Sequence, residues 1–171
     1  MDRYLQRLQT EISSAIEGLS AERLGWHLPG KWCAAEVLEH LYLTYSGTLK
    51  GFERVVEARK PLATTQTWKQ RGQTLVVVAF GYMPSGREAP LGSRPRGLPR
   101  DKVLAEIGSK ISAMDDCIGR CEEKFGAHRK LLDHPILGPL TAAQWRKFHL
   151  VHGLHHVKQI RRLRREAVGA K

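Results

Sequence analysis

Apolar residues recur at intervals of three and four along four long stretches of the chain. The first runs from about Asp2 to Leu19, and the second begins at Cys33 and reaches about Ala58. The third begins at Pro99, where proline suits a first helical turn, and continues to Phe125. The fourth follows Thr141-Ala-Ala-Gln144, which has the form of a capping box with Thr141 as N-cap. This spacing is typical of amphipathic helices and predicts four of them.

The segment between the second and third helices is less regular. It contains the β-branched run Leu75-Val-Val-Val-Ala-Phe80, followed by many glycines and prolines up to Pro99. No second strand-like segment is available to pair with this run, and a lone strand leaves its backbone unsatisfied. We therefore predict a short helix starting near Trp68 and then a long loop. The whole chain, residues 1–171, is predicted to be one all-α domain in which four long helices form a bundle.

Length and composition agree with a single folded domain. A chain of 171 residues can bury one substantial core, and 42% hydrophobic with 26% charged residues argues against disorder. No apolar run approaches the roughly 20 residues of a membrane span. The first seven residues lack the apolar core of a secretion signal. These features predict a soluble, cytoplasmic protein without a membrane partner.

The formal charge of +11 raises the question of an acidic partner such as nucleic acid. The positive charge is spread along the chain, and no run interleaves basic residues with stacking aromatics. The densest patch, Arg161-Arg-Leu-Arg-Arg165, falls near the end of the last helix, where cations complement the helix dipole. The charge is therefore predicted to serve solubility and steering, without specific nucleic-acid recognition.

The three cysteines are Cys33, Cys117 and Cys121. An odd number in a chain without an export signal does not predict a disulfide framework. Cys117 and Cys121 are four residues apart, but they do not form the C-x-x-C pattern common in metal sites. They are predicted to be small buried apolar residues.

Four of the eight histidines lie within eight residues of the last helix. His152 and His156 are four apart, hence roughly 40° apart around the helix axis and about 6 Å along it. Two imidazoles so placed can share one metal ion, or they can be core residues satisfied by neighbours. His40, beside the apolar stripe of the second helix, is by itself more typical of a satisfied core histidine. The basic residues of the last helix, Arg146, Lys147, Lys158, Arg161, Arg164 and Arg165, are predicted on its far side.

The segments Trp32-x-x-x-Glu-Val-Leu-Glu-His40-Leu and His152-x-x-His-His156-x-x-Gln-Ile together resemble the DinB superfamily of bacterial metal-binding four-helix bundles. The resemblance covers essentially the whole chain. The Pro135-Ile-Leu-Gly-Pro-Leu-Thr-x-x-Gln-Trp145 entry to the last helix is similar to an uncharacterised branch of that superfamily. In the family, one histidine of the second helix and two of the last bind a divalent metal, which implies His40, His152 and His156 here.

The resemblance implies a divalent metal, and a three-histidine site with open positions suits zinc or nickel and a small-molecule substrate. A homodimer is left open as one arrangement. Characterised relatives include thiol-dependent transferases and isomerases, so a low-molecular-weight thiol is a second expected cofactor. If water takes the place of the thiol on the metal, hydrolase-like chemistry is expected. His152-Gly153 lacks the glutamate that follows the first histidine in H-E-x-x-H hydrolases, which disfavours a protease. The alternative function is a non-catalytic metal-binding or stress-related module with a basic partner-binding surface.

Helical spacing offers several residues that could act as a general base or could orient the histidines. Gln159 and His149 are the candidates for side chains that hydrogen-bond to the metal ligands and orient them. Two further candidates for a base are Glu36 and Tyr45. None of the four is required by its spacing.

Overall fold

The four predicted long helices are present in the computed structural model, which describes residues 1–84, 86 and 88–169, with the last two as backbone only. They are α1, Arg3–Ile16; α3, Ala34–Ala58; α5, Arg100–Phe125; and α6, Ala142–Gly169. Two shorter helices join them, α2, Ala21–Gly25, and α4, Trp68–Thr74, and α4 continues as a π-helical turn, Leu75–Ala79. A 3-10 turn covers Leu91–Ser93. The prediction of a mostly helical protein is confirmed, and so is the helical state of the β-branched run.

The cap of α6 is the one predicted from the sequence. Gln144 N donates to Thr141 Oγ1 at 3.3 Å, and Thr141 N donates to Gln144 Oε1 at 3.1 Å, which closes a capping box. The first helix ends earlier than predicted, because Gly18 takes a left-handed conformation with φ of 69°. The segment between the first two predicted helices, where no helix was predicted, forms the short helix α2.

The purely α-helical prediction needs one correction, since a β-hairpin precedes α6. Its strands are β1, Leu132–His134, and β2, Gly138–Leu140, paired antiparallel with Asp133 opposite Pro139. We predicted only a connector containing glycine and proline there. Strands of three residues are too short to show a periodic pattern, so only their tertiary contacts define them. The residue before β1 makes one such contact, the 2.9 Å hydrogen bond from Leu62 N to Leu131 O.

The long helices pack around a single core, with α1 against α6 and α3 against α5, while α3 also faces α6. Gly153 of α6 makes the first of these contacts close. A β-carbon at Gly153 would overlap the side chain of Leu8 and lie 3.1 Å from the Tyr45 hydroxyl. Glycine is therefore required here for helix approach, one residue after His152.

Arg146 lies in the interior between α6 and α5, where we had predicted a solvent-facing residue. Its side chain is 12% exposed and forms ion pairs with Asp115, at 2.7 Å, and with Glu122. Both carboxylates belong to α5, so the pairs fix the orientation of α6 against that helix. Within the described residues, no helix is long and apolar enough to cross a membrane.

Candidate metal centre

The side chains of His40, His152 and His156 converge between α3 and α6. His152 Nε2 lies 3.2 Å from His40 Nε2 and 3.2 Å from His156 Nε2. The three rings offer one ligand atom each, and these atoms all lie within 4.8 Å of one another. The structure therefore brings together the three histidines that the sequence singled out, and the group could hold a metal ion.

Hydrogen bonds on the far side of two of the rings fix their tautomers. His40 Nδ1 donates to the backbone oxygen of Ser93 at 2.7 Å, and His156 Nδ1 donates to Gln159 Oε1 at 3.0 Å. Both oxygens can only accept, so each neutral ring carries its proton on Nδ1 and leaves an unshared electron pair on Nε2. This is the orientation that metal-binding histidines usually have.

The position of His152 makes the cluster suitable for a cation. Its Nε2 faces the Nε2 atoms of both His40 and His156, and a single proton there can satisfy only one of them. Zinc bonds of about 2.0–2.1 Å at tetrahedral angles put neighbouring nitrogens about 3.3 Å apart. The two 3.2 Å separations thus match two edges of such a site.

Burial keeps these imidazoles neutral and able to bind a metal. Desolvation lowers the pKa of His40, and it lowers the pKa of His156 to about 3. The pKa of His152 is held well below its usual range, first by burial and then by its histidine neighbours. Neutral imidazole is the form that binds metal ions, so no proton competes strongly near neutral pH.

The three histidines form part of the wall of a cavity of about 890 Å³. Segments from α3, α4, the β-hairpin and α6 surround it, together with the loop that follows the π-helical turn. Its wall is mainly apolar and aromatic, with contributions from Trp32, Leu43, Val76, Met83, Trp145 and Phe148. A volume of this size is within the usual range for small-molecule sites, and an ion on the histidines would be open to such a ligand.

Comparison with protein families gives one match. The family described as "Protein of unknown function (DUF1569)" matches residues 4–163. The chain belongs to the DUF1569 family. The match includes all three histidines and every segment that lines the cavity, but its description assigns no reaction. No curated protein and no solved structure matches the chain.

The other candidate residues from the sequence differ in their distance from the histidine cluster and the cavity of this DUF1569 chain. Gln159 contacts His156, as expected for a residue that orients a metal ligand. His149 is completely buried and stacks on Trp145, and neither of its nitrogens has a partner within the described residues. The Tyr45 hydroxyl is also buried without a partner there, and burial raises its pKa. Neither side chain lines the cavity, so neither is placed to act as a base on a ligand.

Glu36 has a structural role at the start of α3. Its carboxylate accepts from Cys33 N at 2.8 Å, while Glu36 N donates to Cys33 Sγ at 3.4 Å, in a second capping box. Glu36 does not line the cavity. Glu36 therefore caps the start of α3 and does not act as a base at the site.

Two contributors to the DUF1569 site were missed by the sequence analysis. The oxygen of Ser93 that orients His40 is a backbone atom in an irregular loop, and no sequence pattern reports it. His134 lines the cavity from the β-hairpin, whose strands were not predicted. The turn-forming Pro135 beside it was visible in the sequence and could have drawn attention to that segment.

Proposed function

We propose that this DUF1569 chain is a DinB-like protein that binds a divalent transition metal, zinc or nickel, through His40, His152 and His156. The proposal depends on one observation, the convergence of three imidazole nitrogens at the wall of an open cavity. Three neutral nitrogen ligands suit zinc and nickel, and fewer than four protein ligands leave a position for a small molecule. The resemblance to the DinB superfamily supports the same three residues.

We further propose that the protein is a metal-dependent enzyme, with a thiol-dependent transferase as the favoured activity and hydrolase-like chemistry as the variant. A bound divalent ion would supply Lewis acidity, which lowers the pKa of a thiol or water at its open position. The chain contributes the ligands, their orientation through Ser93 and Gln159, and a largely apolar cavity. The nucleophile belongs to the small molecule, since none of the three cysteines lines the cavity.

Metal analysis of purified variants tests the first half of the proposal. The wild-type protein should carry about one zinc or nickel per chain, whereas His156→Ala and His152→Ala should carry little. His128→Ala, which removes an exposed histidine, is the matched control and should retain the metal. Equal metal content in wild type and His156→Ala would reject the site.

Activity is tested on the same preparations with bacillithiol, mycothiol or L-cysteine and 1-chloro-2,4-dinitrobenzene as acceptor. We expect thiol consumption that is lost on chelation, restored by added metal, and absent in His152→Ala. A protein that binds the metal at full occupancy but converts none of these thiols would favour the non-catalytic metal-binding module.

A further inference from the structure

The ring of His134 is held in one tautomer by the turn of the β-hairpin. Its Nδ1 accepts the backbone N–H groups of Ile136 and Leu137, both at 3.1 Å. Backbone N–H groups only donate, so Nδ1 carries an unshared pair and the proton of the neutral ring is on Nε2. Burial lowers the pKa of His134 to about 4, which keeps the ring neutral near pH 7.

His134 presents this ring to the cavity. It is one of the lining residues, and its edge packs against Phe148 with ring centroids 4.3 Å apart. Phe148 in turn stacks on His152, with centroids 5.5 Å apart and planes 12° apart. One aromatic ring therefore separates His134 from the metal ligands. Among the described residues, none accepts a hydrogen bond from its Nε2.

Other polar groups of the wall are less suited to hold a ligand in a fixed position. The hydroxyl of Thr44 already donates to the backbone oxygen of His40, at 2.8 Å. Arg54 and Lys69 line the cavity too, but both are exposed residues with long, freely rotating side chains. His134 combines a fixed orientation, a proton position set by the turn N–H groups, and partial exclusion of water, which together strengthen a hydrogen bond.

We propose that His134 is the hydrogen-bond donor that recognises an oxygen acceptor on an apolar, aromatic-sized ligand in this cavity. A carbonyl oxygen fits the single donor, and the aromatic wall fits the rest of the molecule. The inference rests on the proposed function for the reaction at the neighbouring histidines. The recognition step itself requires no metal, so it can be measured separately.

Acetophenone and α-methylstyrene are the matched probes, since they differ only by a carbonyl oxygen in place of a methylene. Both are titrated into EDTA-treated protein and followed by NMR, with metal content measured on the same sample before treatment. Wild type should bind acetophenone about fivefold more tightly, as expected for one hydrogen bond. The ¹⁵N-coupled Nε2 proton of His134 should shift on adding acetophenone and remain unchanged with α-methylstyrene.

His134→Asn separates the two roles of the ring. The asparagine oxygen can accept from the turn N–H groups in place of Nδ1, while its NH₂ group, on a shorter side chain, ends before the position of Nε2. This variant should bind both probes equally. The proposal is overturned if wild type shows no preference or binds neither probe, if His134→Asn keeps the preference, or if NMR finds the proton on Nδ1. If the protein carries no metal before EDTA treatment and still prefers acetophenone, His134 is supported and the metal proposal is rejected.

Discussion

Glu39 and His40 are adjacent on α3 and both hold the loop that precedes α5. His40 donates to the backbone oxygen of Ser93, and the buried carboxylate of Glu39 accepts three backbone N–H groups a few residues further along. These belong to Arg96, Gly97 and Leu98, at 2.8, 3.2 and 3.1 Å. Glu39 therefore positions the segment whose carbonyl sets the tautomer of His40, although it touches neither the cavity nor the other histidines.

Replacing Glu39 by alanine should weaken both the fold and the metal site. Three backbone donors lose a charged acceptor, which predicts a decrease of about 2–4 kcal/mol in the free energy of unfolding. Loss of an outer partner of a metal-binding histidine predicts a zinc dissociation constant raised roughly tenfold. Urea denaturation and calorimetric titration measure the two effects. Glu57→Ala, an exposed change on the same helix, is the control and should alter neither. Unchanged zinc affinity in Glu39→Ala would show that the loop does not position His40.

Two glycines in helix interiors should respond oppositely to alanine. Gly153→Ala places a methyl group against Leu8 and should cost about 1–3 kcal/mol of stability through overpacking. Gly47→Ala faces the cavity with no atom within 4 Å of the new carbon, so the gain in helix propensity of roughly 0.5–1 kcal/mol should appear. Denaturant unfolding of both variants measures the two changes in the free energy of unfolding. A destabilised Gly47→Ala would contradict the open cavity, and a neutral Gly153→Ala would contradict the close approach of α1 to α6.

Stability of the metal-free protein should fall as the pH decreases below about 6.5. The pKa of His134 is 6.5 in the unfolded reference and about 4 in the fold, because burial disfavours its charged form. Between these values the unfolded chain binds a proton that the folded chain excludes, so the stabilisation present above pH 6.5 is progressively lost. At pH 5 this single group should cost about 2 kcal/mol relative to pH 7.5. Urea midpoints in EDTA, compared with His134→Asn, measure it. An equally steep pH dependence in that variant would exclude His134 as a source.

The cysteines should be dispensable. All three are buried, and desolvation raises the pKa of each thiol, that of Cys121 to about 11, so little reactive thiolate is present at pH 7. A variant with Cys33→Ser, Cys117→Ala and Cys121→Ala should keep its metal content and any transferase activity. Serine at the N-cap of α3 should by itself add about 0.5–1 kcal/mol. Loss of activity in a folded, metal-loaded triple variant would identify a protein thiol as nucleophile.

Duplex DNA should bind weakly and without sequence preference. Several arginines of α6 are engaged within the fold, Arg161 with Glu11 at 2.9 Å and Arg162 with Glu166 at 3.2 Å. Arg146 is held in its ion pairs with α5. At about 0.15 M salt, nonspecific dissociation constants of roughly 10⁻⁴–10⁻⁶ M are expected, increasing with salt. Fluorescence anisotropy with unrelated duplexes tests this. Tight binding to one sequence would assign the basic surface a specific partner.

Local patterns were sufficient for the long helices and for two of the three histidines of the site. The three- and four-residue periodicity locates the long helices, and the Thr141 box fixes the start of α6. His152 and His156 are four residues apart on α6, so the helix alone brings them together. The addition of His40 required α3 to face α6, which the resemblance to a known family indicated and helical spacing could not.

Contacts between distant segments explain what the sequence did not predict. A helical wheel shows which side of α6 carries Arg146, but it does not show that two carboxylates of α5 lie opposite that side and pair with it. The hairpin around His134 has too few residues for a period, and its turn depends on a side chain accepting backbone N–H groups. The loop over His40 is held by Glu39, whose role depends on three donors more than 50 residues away.

The order in which the chain is synthesised limits when this cavity can exist. Its wall extends along the sequence from Trp32 to His156, and two of the three converging imidazoles are on the last helix. During translation the earlier helices emerge first, and domains generally fold as units. A nascent chain that ends before α6 has only one of the three histidines, so the three-histidine group is incomplete at that stage. An ion held by all three histidines could bind only after α6 has docked, and the face of α1 that packs against α6 remains uncovered until that step.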